Sequence, residues 1–232
     1  MLRGARRVVA PTQDVAARLG RYFPGQAIEI VPWENVSWGI RCSPAGEAEC
    51  IRIAVLGAIS SQKGYHVLLA CARDAFERDL PLEFVVIGYT LDDATLFASM
   101  RVFITGPYEE HEVRSLVGRE RCHAAFLPSV TPETWCYTLS HTMDAGLPAL
   151  AFDCGAQAER LRGLPFGVLL PLGTPAPTLN DELIRLARSS KTNREESRNE
   201  REPTQRSPHE HRATVGDGAG PDATAGNVRT HG

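Results

Sequence analysis

Short, unbroken apolar runs recur along this chain, with stretches of helical spacing between them. The runs are Arg7–Ala10, Ile28–Val31, Ile51–Gly57, Leu82–Gly88, Val102–Thr105, Ala124–Leu127, Ala149–Phe152 and Gly167–Leu170. Continuous rather than alternating apolar character is the pattern of strands covered on both faces. Between them, Asp14–Tyr22 places Val15, Leu19 and Tyr22 at helical spacing. Gly64–Phe76 puts Val67, Leu68, Cys71 and Ala75 on one stripe. Glu109–Val117, Tyr137–Ala145, Ala156–Leu161 and Asn180–Ala187 complete the helical set, with Asn180–Asp181 a candidate cap. Strand and helix in alternation predict an α/β fold, a doubly wound parallel sheet with right-handed crossovers.

The stretch Phe126–Glu159 carries the most chemistry. Pro128 and Ser129 stop a strand, Glu133 follows in a short loop, and a helix begins near Thr134 to Cys136. A second strand ends at Phe152 and Gly155 opens the next helix. An acid beside a helix start, at the C-terminal edge of a strand, suits a nucleotide sugar. Helix N-termini favour phosphate, and open α/β sheets bind ligands at that edge. The amides of Cys136, Tyr137 and Thr138 would hold the diphosphate there.

This run resembles the donor-binding half of GT-B glycosyltransferases, most closely the retaining family called group 1 or family 4. Ser129, Pro132, Glu133, Ala145, Gly146 and Pro148 match its pattern. Ile53–Gly64 (IAVLGAISSQKG), Phe84–Gly88, Val102–Pro107 and Gly155–Glu159 follow in the expected order, so the resemblance covers roughly residues 5 to 188. The resemblance implies a Rossmann-like GT-B C-terminal domain and gives Glu133 the catalytic position near the donor sugar. It also implies donor-binding positions at Gly57, Lys63, Cys136, Tyr137, Thr138, His141, Gly155 and Glu159. Lys63 would offset diphosphate charge as a point donor, and Gly155 would let a ligand approach closely. Two positions depart from the pattern. Eight residues after Glu133 stands His141, where the family has a Glu that accepts bonds from ribose hydroxyls. A neutral His accepts one bond where a carboxylate accepts two or more. Ala58 stands where an Arg often contacts phosphate.

Composition narrows the rest. At 232 residues and 43% hydrophobic the chain holds one or two domains with a real core. A net charge of −3 gives no reason to expect nucleic acid as a partner. No apolar run is long enough for a transmembrane span, and the start is no secretory signal. Six scattered cysteines without a C-x-x-C pair argue against a zinc site or disulfide framework and fit a reducing, cytoplasmic setting. His66, His111 and His123 have no metal-like spacing, so no metal is expected. No phosphate-binding P-loop, G-x-G-x-x-G or G-x-S-x-G is present.

Three segments are therefore expected. Residues 1–50 match the end of an N-terminal acceptor domain and its linker, a remnant in which Val8–Thr12 and Ile28–Pro32 fit. Residues 51–188 are the nucleotide-sugar-binding domain. Residues 189–232 have only Val215 and Val228 as large apolar residues and are expected to be disordered. The implied activity is hexosyl transfer from a UDP- or GDP-sugar to a saccharide or lipid-linked acceptor, as in polysaccharide biosynthesis, with no cofactor beyond the donor. On this register the chain is expected to lack most of the acceptor domain. Three further readings stand beside it: a non-catalytic nucleotide-sugar-binding module, an inactive truncated remnant, and a nucleotide-sugar epimerase of GT-B fold, which would also need two domains.

Overall fold

The computed structural model describes residues 5–36, 39 and 50–199, with side chains through Ser189. Near the start, Val9–Ala10 (β1) and Glu29–Ile30 (β2) pair in parallel, joined by the helix Gln13–Tyr22 (α1). Thr12 caps α1 by accepting the Val15 N–H at 3.3 Å. This two-stranded unit is separate from the main sheet.

The main sheet has six parallel strands: Ile51–Ile59 (β3), Leu82–Thr90 (β4), Val102–Ile104 (β5), Ala124–Leu127 (β6), Ala149–Phe152 (β7) and Gly167–Leu170 (β8). Its order is β5-β4-β3-β6-β7-β8. The chain builds outward from β3 in one direction, returns, and builds outward in the other. The reversal leaves a crevice beside β3 and β6. Tyr65–Glu77 (α2), Asp93–Phe97 (α3), Val113–Arg119 (α4), Tyr137–Asp144 (α5), Gly155–Leu161 (α6) and Ala176–Asn199 (α7) cover the faces, and a short 3-10 turn at Glu110–Glu112 precedes α4.

Period-two alternation sorts the apolar runs onto both faces. Ile51, Ile53 and Val55 of β3 pack with Leu68, Cys71, Leu183 and Leu186 of α2 and α7. Their neighbours Ala54 and Leu56 pack with Val113, Leu116 and Val117 of α4. Leu139, Met143 and Leu161 close a third cluster over β7. Each fully buried Leu or Ile contributes about 1.5–3 kcal/mol by leaving water.

Two expectations change here. The last helix starts at Ala176, so Asn180 is not its cap. The buried Asn180 amide instead donates to Cys71 O at 2.9 Å and Asp74 Oδ2 at 2.8 Å, fastening α7 to α2. A proline is tolerated in a helix's first turn, which is where Pro177 sits. The helix also continues to Asn199, past the compositional break at Ser189. Residues 200–232, 1–4 and most of 37–49 lie outside the described residues, so those parts of the segment expectations do too. None of the described helices is long and apolar enough to cross a membrane.

Candidate functional site

A cavity of about 600 Å³ opens at the C-terminal edge of the sheet, beside the point where strand order reverses. Gly57 and Ala58 of β3 and Gly88 and Tyr89 of β4 form one part of its lining. Pro107, Tyr108 and Glu110, after β5, form a second, and Tyr137, Thr138 and His141 of α5 a third. The volume is within the usual range for small-ligand sites, about 300–1,000 Å³.

The start of α5 is the electropositive end of this site, because its first amides have no partner inside the helix. The turn into it is unusual. Cys136, the residue before the helix, has φ 66° and ψ 74° with no side-chain cap. A non-glycine residue in that region is strained, and a partly buried network holds it. The Arg160 guanidinium donates to Trp135 O at 2.8 Å, Cys136 O at 3.0 Å and Ser140 Oγ at 2.9 Å. It also lies over the Trp135 ring, 4.0 Å from its centroid. Glu34 completes the network, accepting from Ser140 Oγ at 2.6 Å and Trp135 Nε1 at 3.1 Å. The Ser140 hydrogen bond, more than any other influence, holds the Glu34 carboxyl below its ordinary value. Burial pulls the Arg160 guanidinium down from its own.

Lys63 and Glu133 meet beside this helix start, Nζ to Oε2 at 3.5 Å. Their loops are zipped together. Val130 N–H donates to Gln62 O at 3.0 Å, and Ser129 Oγ donates to the same oxygen at 3.4 Å. Gly64, at φ +88°, lets the β3 loop pass the end of β6, where a Cβ would stand 2.1 Å from Pro128 O. The pair is partly exposed, so it contributes only about 0–1 kcal/mol to stability. Burial pushes the Cys136 thiol up to about 11, and Glu133's nearby charge adds to the shift.

The structure therefore brings Gly57, Tyr137, Thr138 and His141 to the cavity, with Lys63, Glu133 and Cys136 grouped at the same helix start. Cys136 precedes the first turn rather than forming it. Gly155 stands apart from the cavity lining. Its φ is +65°, and a Cβ there would sit 2.6 Å from Pro132 Cα, so it seats the Glu133 loop rather than a ligand. Ala156 N–H holds that loop by donating to Glu133 O at 3.1 Å. Glu159 is not brought to the cavity, contrary to expectation. One turn into α6 it faces α1, where its carboxylate accepts the Gln13 and Asp14 N–H groups at 2.8 and 2.9 Å. It serves as a cap for that helix.

Sequence reasoning missed Glu110, Tyr89, Arg160 and Glu34. Arg160 was legible only as a polar residue on α6, since two of its partners are main-chain carbonyls. Among the described residues no group of three or more His, Cys, Asp or Glu is placed to hold a metal ion.

A model of the family described as glycosyl transferases group 1 matches residues 47–202, well over half of the sequence. The chain belongs to this family. No curated protein matches it in sequence. Among solved structures, it is similar to the apo form of the lipopolysaccharide outer core galactosyltransferase WaaB, with a TM-score of 0.61 at 17% identity. That match covers 80% of this chain and 54% of the galactosyltransferase. HepE of Anabaena in complex with UDP matches at TM-score 0.60 and 17% identity, covering 82% of this chain and 56% of HepE. A glycosyltransferase from Rickettsia africae gives TM-score 0.60 and 17% identity over 80% of this chain and 54% of its own. At these identities the likeness is one of fold, the GT-B glycosyltransferase fold. This group 1 glycosyltransferase chain spans about half the length of those structures.

Proposed function

We propose that this chain binds the nucleotide-sugar donor of a retaining GT-B transfer, from a UDP- or GDP-hexose to a saccharide or lipid-linked acceptor. The observation that carries this reading is the convergence of Lys63, Glu133 and the α5 amides beside one cavity at the strand-order reversal. The base and ribose occupy the cavity, and the diphosphate rests against Tyr137 and Thr138. As the bond from the anomeric carbon to diphosphate oxygen breaks, negative charge grows on the diphosphate. The helix dipole and the Lys63 ammonium stabilise that charge. Glu133 lies at the sugar end, oriented by Lys63. The UDP bound to HepE supports this assignment. Scattered thiols and the nature of the donor fit a cytoplasmic role in polysaccharide synthesis.

A second reading is a nucleotide-sugar-binding module without turnover. It is favoured by His141 and Ala58, which stand where the family pattern has a Glu and often an Arg.

Thermal shift with UDP-, GDP- and ADP-sugars tests the site. A ligand at 100 times its dissociation constant adds about 2.7 kcal/mol, which raises the melting temperature by several degrees. Lys63→Ala weakens binding about tenfold. Glu133→Gln keeps the fold and changes the preference between a nucleotide sugar and its free diphosphate. No shift with any member of the panel removes the proposal. Release of free diphosphate on adding acceptor separates the transferase from the binding module.

A further inference from the structure

We propose that Glu110, on the 3-10 turn after β5, grips the ribose hydroxyls of the bound nucleotide, with His141 across the cavity as its positioning residue. This inference rests on the nucleotide-sugar reading above. Among the described residues that line the cavity, Glu110 is the one carboxylate. Its Oε1 lies 3.5 Å from His141 Nε2. The side chain is 76% exposed and that of His141 24%. The Glu110 carboxylate therefore has room to accept hydrogen bonds, with His141 Nε2 close to one of its oxygens.

The neighbouring acids have other tasks. Glu109 N–H donates to the Glu112 carboxylate at 2.9 Å and Glu112 N–H to Glu109 O at 2.9 Å, which pins the turn. Glu110 is left facing His141. The spacing along α5 is also suitable. His141 stands four residues after Tyr137 on the same helix face, about 6 Å deeper. A diphosphate held at the first turn places the ribose attached to it at that depth. Two adjacent hydroxyls are best held by an ionised carboxylate, which accepts from both, whereas the neutral hydroxyls of Tyr137 and Thr138 make weaker bonds.

Calorimetric binding of UDP and GDP, and of their dideoxy analogues lacking both ribose hydroxyls, tests the assignment. Glu110→Gln is expected to weaken the better-bound diphosphate about tenfold or more and to leave its dideoxy analogue unchanged. His141→Glu alone sets two carboxylates against each other and gives no gain. In the Glu110→Gln background it puts the charge back from the other wall and restores affinity. His141→Gln, which keeps a donor, retains more affinity than His141→Ala. Equal binding by wild type and Glu110→Gln overturns the inference and leaves the nucleotide reading intact. Equal weakening of ribose and dideoxy forms overturns it as well. Failure of both diphosphates to bind the wild-type chain sinks both.

Discussion

Gly64 shows how one missing side chain positions two charged ones. With φ at +88° and Pro128 O in the space a Cβ would occupy, the β3 loop can lie directly on the end of β6. That contact sets Lys63 against Glu133. Gly64→Ala should cost the strain of a left-handed backbone, about 1–3 kcal/mol, and in addition push the two loops apart. Gly106 is a natural control, since its φ is +85° and nothing lies within 4 Å of its missing Cβ. Gly106→Ala should lower the melting temperature less and leave nucleotide binding unchanged, whereas Gly64→Ala should reduce both. Equal effects in the two variants would mean the loop contact does not position Lys63. The Lys-Gly pair was visible in the sequence as part of a loop. That its glycine faces Pro128 was not, because the two positions meet only when the sheet is folded.

At the scale of an element, α6 carries adjacent residues with opposite duties. Glu159 caps α1, and Arg160 holds the strained turn at the start of α5. Glu159→Ala should cost about 0.5–2 kcal/mol, as lost caps do. Amide exchange should quicken at the first turn of α1 while nucleotide affinity stays constant. Arg160→Met removes bonds to two carbonyls and to Ser140, and leaves Glu34 without its nearby cation. We expect a loss of about 2–3 kcal/mol, a melting temperature lower by several degrees, and weaker nucleotide binding because the α5 amides lose their support. A stability loss with unchanged affinity would show that α5 keeps its start without Arg160. The strands were legible in outline because burial on both faces leaves unbroken apolar runs, and the largest discrepancy in their bounds is two residues. The short α3 was missed, having only five residues and an Asp-rich start. The partners of Glu159 and Arg160 were illegible for a different reason: Glu34, Gln13 and Asp14 lie far away in sequence, and spacing along a helix says nothing about them. The helix start after Glu133 was legible, but the left-handed Cys136 before it was not, since nothing in a cysteine's chemistry calls for that conformation.

Over the whole molecule, buried thiols give stability a dependence on alkaline pH. Burial pushes Cys71 up to about 12 and Cys136 up to about 11, from an ordinary value of 9. The unfolded chain releases these protons first. Their contribution is therefore complete below pH 9 and is lost as the pH rises through 9 towards 11 and 12. The melting temperature should fall across that window, and Cys71→Ala with Cys136→Ala should flatten the fall relative to the parent's own pH profile. An unaltered slope in the double variant would assign the loss to other groups. Alkylation at pH 8 should spare both thiols in the folded chain.

The strand order has a consequence in time. β3 pairs with β4 along its whole length, from Ile51 opposite Leu82 to Ile59 opposite Thr90. Its ladder with β6 is shorter, Ile53 and Ala54 opposite Ala124 and Ala125, with His123 N–H donating to Arg52 O just before it. The first three strands can assemble as soon as they are made, whereas the narrow joint to the other three must wait for a distant segment, the slow kind of contact in folding. The cavity straddles that joint, with Gly57 on one side and Thr138 on the other. It does not exist until the two halves close. Nucleotide should thus slow unfolding while leaving the folding rate almost untouched, as expected for contacts made after the barrier. A newly made chain that holds nucleotide is one whose sheet is already complete.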